Sequence, residues 1–392
     1  MGRRHRCDRF GRPPSVGRAT LDSMTVMKAA VFAGAGPSLA LEEIPIPEPH
    51  GGEVLIKVAA CGVCHTDLHV MKSEVAFPTP AVLGHEVSGV VERVGADVEH
   101  LAVGDRVVCS FIMPCGDCRH CVRGAEDLCE RFFAYNRLRG TLYNGTTRLH
   151  RADGTPLAMY SMAGLAEYCV TPASSAFVVP DDVSLDAVAI LGCSSFTALG
   201  AVNTAELRVG DRIAVVATGG VGTSIVQFAK AVGASQIIAI DIDDDKLHAV
   251  RALGATHTIN SRTTDVSDAV RQITEGHGVD VAFEALGSPT TFATACDIVD
   301  DGGRVVVVGI APAGSTGDVD LARLVRRKVQ VRGSYGGKAR RDMPALLRMV
   351  AGGTIAPQEA ITRRYPLDQA DDAYQALARG EIVGRAVIEM PS

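Results

Sequence analysis

Residues 211–222 read Asp-Arg-Ile-Ala-Val-Val-Ala-Thr-Gly-Gly-Val-Gly: an apolar run that breaks at a glycine-rich turn and opens the helical pattern GTSIVQFAKAVGA (222–234). Continuous apolar runs followed by amphipathic helices mark strands buried on both faces of a parallel sheet. The alternation recurs in QIIAIDI (236–242), DDKLHAVRALGA (244–255), VDVAFEA (279–285) and GRVVVVGI (303–310). This half of the chain therefore predicts a doubly wound α/β unit. Its first turn would bring backbone N–H groups to a pyrophosphate at a helix N-terminus. Gly219 and Gly222 supply the second and third glycines of G-x-G-x-x-G, with Gly220 and Val221 between them. Ala217 replaces the first glycine, which requires a negative φ there. Asp241 ends the next strand, where a carboxylate can accept hydrogen bonds from ribose hydroxyls. With Asp243, Asp244 and Asp245 beside it, a 2′-phosphate would be repelled, so NAD is favoured over NADP. Lys246 completes the expected coenzyme contacts.

Upstream the texture changes. EVLIKVAA (53–60), EVSGVVERV (86–94) and DRVVC (105–109) are Val-rich runs bounded by turns, and prolines such as Pro45, Pro47 and Pro49 enforce extended backbone. This half predicts a β-rich domain with long loops. Beyond about Tyr335 the chain is less regular, and the strand-like AVIEM (386–390) could return to that first domain. The expected organisation is an N-terminal extension (1–26), a β-rich domain (27–194) carrying a cysteine lobe (114–130), the α/β unit (195–334) and a C-terminal return (335–392).

The whole chain has 392 residues, a net charge of −6, 47% hydrophobic residues and no Trp. The mildly acidic balance and sparse aromatics argue against a nucleic-acid partner. No apolar stretch reaches the length of a membrane span. The first 26 residues hold six arginines without an apolar segment, which suits a disordered tail or an over-long start better than a secretory signal. Eleven cysteines fit free thiols in a reducing cytoplasm rather than a disulfide framework.

Four of those cysteines, Cys115, Cys118, Cys121 and Cys129, form C-x2-C-x2-C-x7-C. Four thiolates close a tetrahedral zinc shell and leave no open position, the pattern of a structural site. An iron–sulfur cluster would use the same ligands. A second set is dispersed: Cys64-His65-Thr66-Asp67-Leu68-His69, then Gly84-His85-Glu86, then Cys193. One His and two Cys could hold zinc with a fourth position open for chemistry. Singly, each could be a buried thiol or a satisfied histidine; their order connects them.

In that order, GVCHTD, GHE, CGDCRHC…C and TGGVG resemble the zinc-dependent alcohol dehydrogenases of the medium-chain dehydrogenase/reductase superfamily, over Met27 to the C-terminus. The resemblance implies a Rossmann sheet inserted into a GroES-like domain formed by both chain ends. It places catalytic zinc on Cys64, His85 and Cys193, with Asp67 orienting the histidine and Glu86 a carboxylate able to approach the metal. Thr66 would contact the substrate oxygen and His69 would end a proton relay. His65 and Arg385 would reach the coenzyme phosphates. Val75, Phe111, Met113 and Ile310 would line an apolar cleft, favouring aliphatic or benzylic primary alcohols and their aldehydes. The chemistry implied is reversible hydride transfer to NAD, with two zinc ions per chain. The long segment 130–168 resembles the dimeric branch, and 303–310 with VQVRGS (329–334) would pair across a homodimer axis. The alternatives are a glutathione-dependent formaldehyde dehydrogenase, which would need a basic anchor for glutathione carboxylates, and a non-catalytic zinc-binding member.

Overall fold

The computed structural model describes residues 25–391; the reading of the N-terminal extension lies almost wholly outside them. Residues 212–333 form a six-stranded parallel sheet. Its order is His257–Asn260, Gln236–Asp241, Arg212–Val216, Val279–Glu284, Val299–Val307 and Gln330–Gly333. Ile213, Val215, Ile238 and Ile240 are buried, as the unbroken apolar runs demand of strands covered on both faces. The helix Gly220–Val232 packs Ile225, Val226, Phe228 and Ala229 inward and stops at Gly233, whose φ of 92° suits only glycine well. Asp243 caps the helix Asp244–Leu253 by accepting from the amides of Asp245 and Lys246.

The remaining chain builds two further sheets. In the larger, Glu53–Gly62 pairs antiparallel with Val87–Val94, with Tyr168–Pro172 and with the late strand Arg385–Glu389. Val387 lies opposite Gly62, so the C-terminal segment does come back to the first sheet. The architecture is therefore a Rossmann sheet beside a β-rich unit that draws strands from before and after it. Among the described residues no single helix is long and apolar enough to cross a membrane.

Candidate active site

The lobe forms first in sequence and most simply in space. The short helix Arg119–Val122 and the turns around it bring the sulfurs of Cys115, Cys118, Cys121 and Cys129 within 4.8 Å of one another. Cys115 and Cys121 Sγ are 3.9 Å apart, close to the ~3.8 Å edge of a tetrahedron with zinc–sulfur bonds of about 2.3 Å. Backbone amides of Cys115 and Cys118 donate to sulfurs of Cys129 and Cys115. Burial opposes a thiolate at Cys118, yet backbone hydrogen bonds outweigh it and bring its thiol down to about 6. These donors fit a closed zinc site.

The second cluster is assembled from three places. Cys64 precedes the helix His65–Met71, His85 and Glu86 precede the strand Val87–Val94, and Cys193 precedes the helix Ser194–Ala205. Their ligand atoms also lie within 4.8 Å of one another. His85 is fully buried and its Nδ1 is 3.0 Å from Asp67 Oδ1, which also accepts from the Gly84 amide. With Nδ1 donating there, Nε2 is left with a lone pair and has no protein partner. A hydrogen bond between the sulfurs lowers Cys64 well below the usual thiol range and raises Cys193 above it. An orphaned imidazole nitrogen facing two such sulfurs fits zinc.

Glu86 is fully buried. Its Oε2 pairs with the Arg385 guanidinium while Oε1 has no partner. Burial pushes its carboxyl up to about 7, with Arg385 pulling the other way. A Cβ at position 62 would overlap Glu86 Oε2, so Gly62 is required for this carboxylate to sit under the site.

A cavity of about 890 Å³ runs from this cluster to the glycine-rich turn. Cys64, His65, Thr66, His69, His85, Phe111, Cys193, Ile310 and Arg385 all line it, with Gly219, Gly220, Val221, Asp241 and Lys246 at its other end. Thr66 Oγ1 lies 3.6 Å from Cys64 Sγ. His69 is half-exposed and its Nδ1 is bonded to Glu74. Gly219 faces open space, whereas a Cβ on Gly222 would strike the Ala217 carbonyl and one on Gly220 would strike Arg385. The turn thus leaves room for a pyrophosphate beside the Arg385 side chain.

Two expectations need correction, on Ala217 and on Met113 with Val75, and Asp241, which does line the cavity, proves also to hold the turn. Ala217 adopts φ +74°, not a negative value, a left-handed conformation costing about 1–2 kcal/mol for a residue with a Cβ. Its amide is held by the Ile240 carbonyl at 2.8 Å and the following Thr218 by Asp241, which together enforce the bend. Asp241 is already engaged: Oδ2 accepts from Thr218 N and Oγ1, and Oδ1 from the amides of Ile242 and Asp243. It buttresses the turn, and a ribose hydroxyl would have to compete with Thr218. Met113 is fully buried with its sulfur beside Thr171, and Val75 packs on the core; neither lines the cavity.

Sequence reading misses Tyr374, whose hydroxyl donates to Asp67 Oδ2 at 2.8 Å, from 307 residues away. It also misses Glu74 on His69, and Arg137 and Tyr335 in the cavity wall. Only Glu74, five residues from His69, carries a local signal.

Two family models match: the alcohol dehydrogenase GroES-like domain over residues 50–181 and the zinc-binding dehydrogenase over 220–352. The chain is 37% identical to the S-(hydroxymethyl)glutathione dehydrogenase of Komagataella pastoris, covering 93% of this chain and 97% of that protein. Among solved structures it resembles benzyl alcohol dehydrogenase from Acinetobacter calcoaceticus, with a TM-score of 0.88 and 32% identity over 94% of this chain and all of that one. A zinc-binding dehydrogenase structure from Sinorhizobium meliloti, bound to NADP, matches with a TM-score of 0.79 and 28% identity, covering 93% and 99% of the two chains. Fold, ligand sets and these matches agree that the chain belongs to the zinc-dependent alcohol dehydrogenases of the medium-chain dehydrogenase/reductase superfamily. Zinc and a nicotinamide coenzyme come with that membership.

Proposed function

We propose that the protein is an NAD-dependent alcohol dehydrogenase that interconverts primary alcohols and aldehydes, with one zinc at Cys64–His85–Cys193 and a second in the lobe. The observation that carries this reading is the single cavity joining the orphaned Nε2 of His85 to the open glycine turn. Zinc held there supplies a Lewis acid that eases loss of the alcohol proton. A bound nicotinamide supplies the hydride acceptor.

The chain's own residues do the rest. Thr66 Oγ1 stands beside the ligand sulfur, placed to accept the alcohol proton and pass it outward. His69, at the exposed end and bonded through Nδ1 to Glu74, takes it from the relay to solvent. Phe111, whose ring lies 6.1 Å from that of His85 and lines the cavity, excludes water around the reacting carbon. Arg385 supports a coenzyme phosphate, and the crowded acidic stretch Asp241–Asp245 disfavours a 2′-phosphate.

The expected pairing of 303–310 across an axis fails, since Val299–Val307 has a neighbour on both sides; the edge strand Gln330–Gly333 pairs on one side only, with Val331, Leu321 and Val325 exposed around it, which supports a homodimer through that edge. Ten free cysteines among the described residues suit a cytoplasmic setting. A panel of primary alcohols with NAD⁺ and NADP⁺ tests the reading: NADH formation with little NADPH is expected, and no turnover at full zinc loading would overturn it. The Komagataella relative favours a second reading, dehydrogenation of S-hydroxymethylglutathione. Faster turnover of that thiol adduct than of benzyl alcohol would select it.

A further inference from the structure

Two residues that carry a Cβ adopt left-handed backbone within three positions of each other: Ser161 at φ +56° and Ala163 at φ +60°, both fully buried. Strain of that kind persists only where the surroundings over-determine the backbone, and it collects at functional sites. On one side the segment leans on the approach to the zinc ligand His85. The amides of Tyr160, Gly164 and Leu165 donate to the carbonyls of Val82, Gly84 and Leu83, the three residues ahead of it. On the other side stands Asn136, fully buried in the π-helical turn Phe132–Arg137. Its Oδ1 accepts from the Ser161 amide at 3.0 Å, and its Nδ2 donates to the carbonyls of Ser161 at 2.9 Å and Met159 at 3.2 Å. One side chain thus pairs with this segment as a neighbouring strand would. Arg137, next in the same turn, sets its guanidinium carbon 4.2 Å from the centroid of the Tyr160 ring. π-Helical turns are rare and concentrate at functional sites.

What the strained segment holds is the cavity wall. Ser161 Oγ donates to the Phe111 carbonyl at 2.8 Å, while the Phe111 amide donates to the Gly192 carbonyl at 2.9 Å, one residue before the ligand Cys193. Both backbone groups of Phe111 are therefore fixed, one beside the metal cluster and one on Ser161. Its ring lines the cavity 6.1 Å from that of His85, with Phe196 and Tyr335 edge-on at 6.0 and 5.6 Å. Glycine would take the φ of residue 161 without penalty but has no Oγ to reach Phe111, which gives the strained serine its reason. We propose that Asn136 and Ser161 are positioning residues for Phe111: they hold its ring against the reacting carbon and so make the site discriminate against alcohols that carry a second substituent there. Neither residue lines the cavity, so both act through Phe111. This rests on the alcohol dehydrogenase reading above. It also links the lobe to the substrate end of the cavity, because the turn that carries Asn136 starts from Cys129 through a Phe133 N–H to Cys129 carbonyl bond.

The test compares benzyl alcohol with 1-phenylethanol, which adds a methyl to the reacting carbon, in the zinc-loaded wild type, Ser161→Gly and Asn136→Ala. One such carbon in an apolar pocket is felt by about 10–200-fold, so wild-type kcat/KM should favour benzyl alcohol by about tenfold or more. Ser161→Gly keeps the backbone bonds to Asn136, relieves the strained φ and removes only the tie to Phe111. Its thermal midpoint should not fall, yet the margin should shrink by about fivefold or more. Asn136→Ala should shrink the margin at least as far, with faster hydrogen exchange at the Ser161 amide and both zinc ions retained; should that variant not fold, Ser161→Gly decides alone. Calorimetric titration of benzaldehyde and acetophenone, which differ by the same methyl, should show the same loss of preference without turnover. An undiminished margin in Ser161→Gly would overturn the proposal, as would a wild type that shows no margin. So would an equal loss on both alcohols in Asn136→Ala with a lowered thermal midpoint, since that marks a packing role. No oxidation of either alcohol by the wild type would overturn the dehydrogenase reading, and calorimetry would still decide the discrimination.

Discussion

Two cysteine clusters of the same molecule obey opposite logics. The lobe draws all four sulfurs from residues 115–129 and steadies them with backbone amides. The second draws Cys64, His85 and Cys193 from three distant segments and orients them through side chains, with Asp67, Tyr374, Glu86 and Arg385 all buried behind it. The first is closed on itself; the second opens into the cavity. A local cluster of identical donors serves shape, whereas a dispersed, mixed cluster with a carboxylate scaffold can leave one position for chemistry.

The sharpest break of that contrast is a pair of serine variants. Cys64→Ser should drop turnover below detection while metal analysis falls from about two zinc ions per chain to about one. Cys121→Ser should lose the same amount of metal yet keep measurable turnover, with the loss showing as a lower thermal midpoint. If both variants lose activity alike, the division of labour is wrong. Next in size is His69→Gln, at the solvent end of the proposed relay. Alcohol oxidation should slow about 10–100-fold near neutral pH. The deficit should shrink as pH rises and on adding imidazole, and zinc content should not change; a wild-type pH–rate profile would place the proton exit elsewhere.

Asp241→Gly comes third. It strips hydrogen bonds from Thr218, Ile242 and Asp243 together with one negative charge. NAD⁺ should bind about tenfold more weakly or worse, and NADP⁺ should be admitted. Equilibrium binding of both coenzymes decides this, and an unchanged preference would pass the selecting role to Asp243–Asp245. The smallest effect belongs to Tyr374→Phe. It leaves a buried oxygen of Asp67 without its donor, so unfolding free energy should fall by about 1–3 kcal/mol with both zinc ions retained. A loss of the His85 metal alone would show that Tyr374 supports ligation rather than folding.

The strands at 53, 87, 106, 212, 236 and 279 are readable because burial on one or both faces writes itself into residue order. The lobe is readable for the same reason, its ligands being neighbours. Ala217 misleads because a missing glycine suggests a relaxed backbone, whereas Ile240 and Asp241 hold the bend regardless of side chain. Resemblance places Met113 and Val75 in the cleft, and packing turns them away. Tyr374 and Arg137 leave no mark at all, since a hydroxyl or guanidinium gains its meaning only from what folds against it. RLRGTLYNG, which begins at Arg137, speaks in sequence only of length.

The ion pair between Glu86 and Arg385 ties the assembly of the molecule to the order of its synthesis. The lobe sulfurs all emerge together, and the parallel sheet is complete once residue 333 has been made. The last protein ligand of the other cluster, Cys193, precedes Arg385 by 192 positions, or about 10–40 s of translation. Through that interval Glu86 has no cation against it, and the strand Glu53–Gly62 lacks its neighbour at 385–389. A nascent chain would therefore have all four lobe sulfurs, and a complete parallel sheet, well before Glu86 meets its cation.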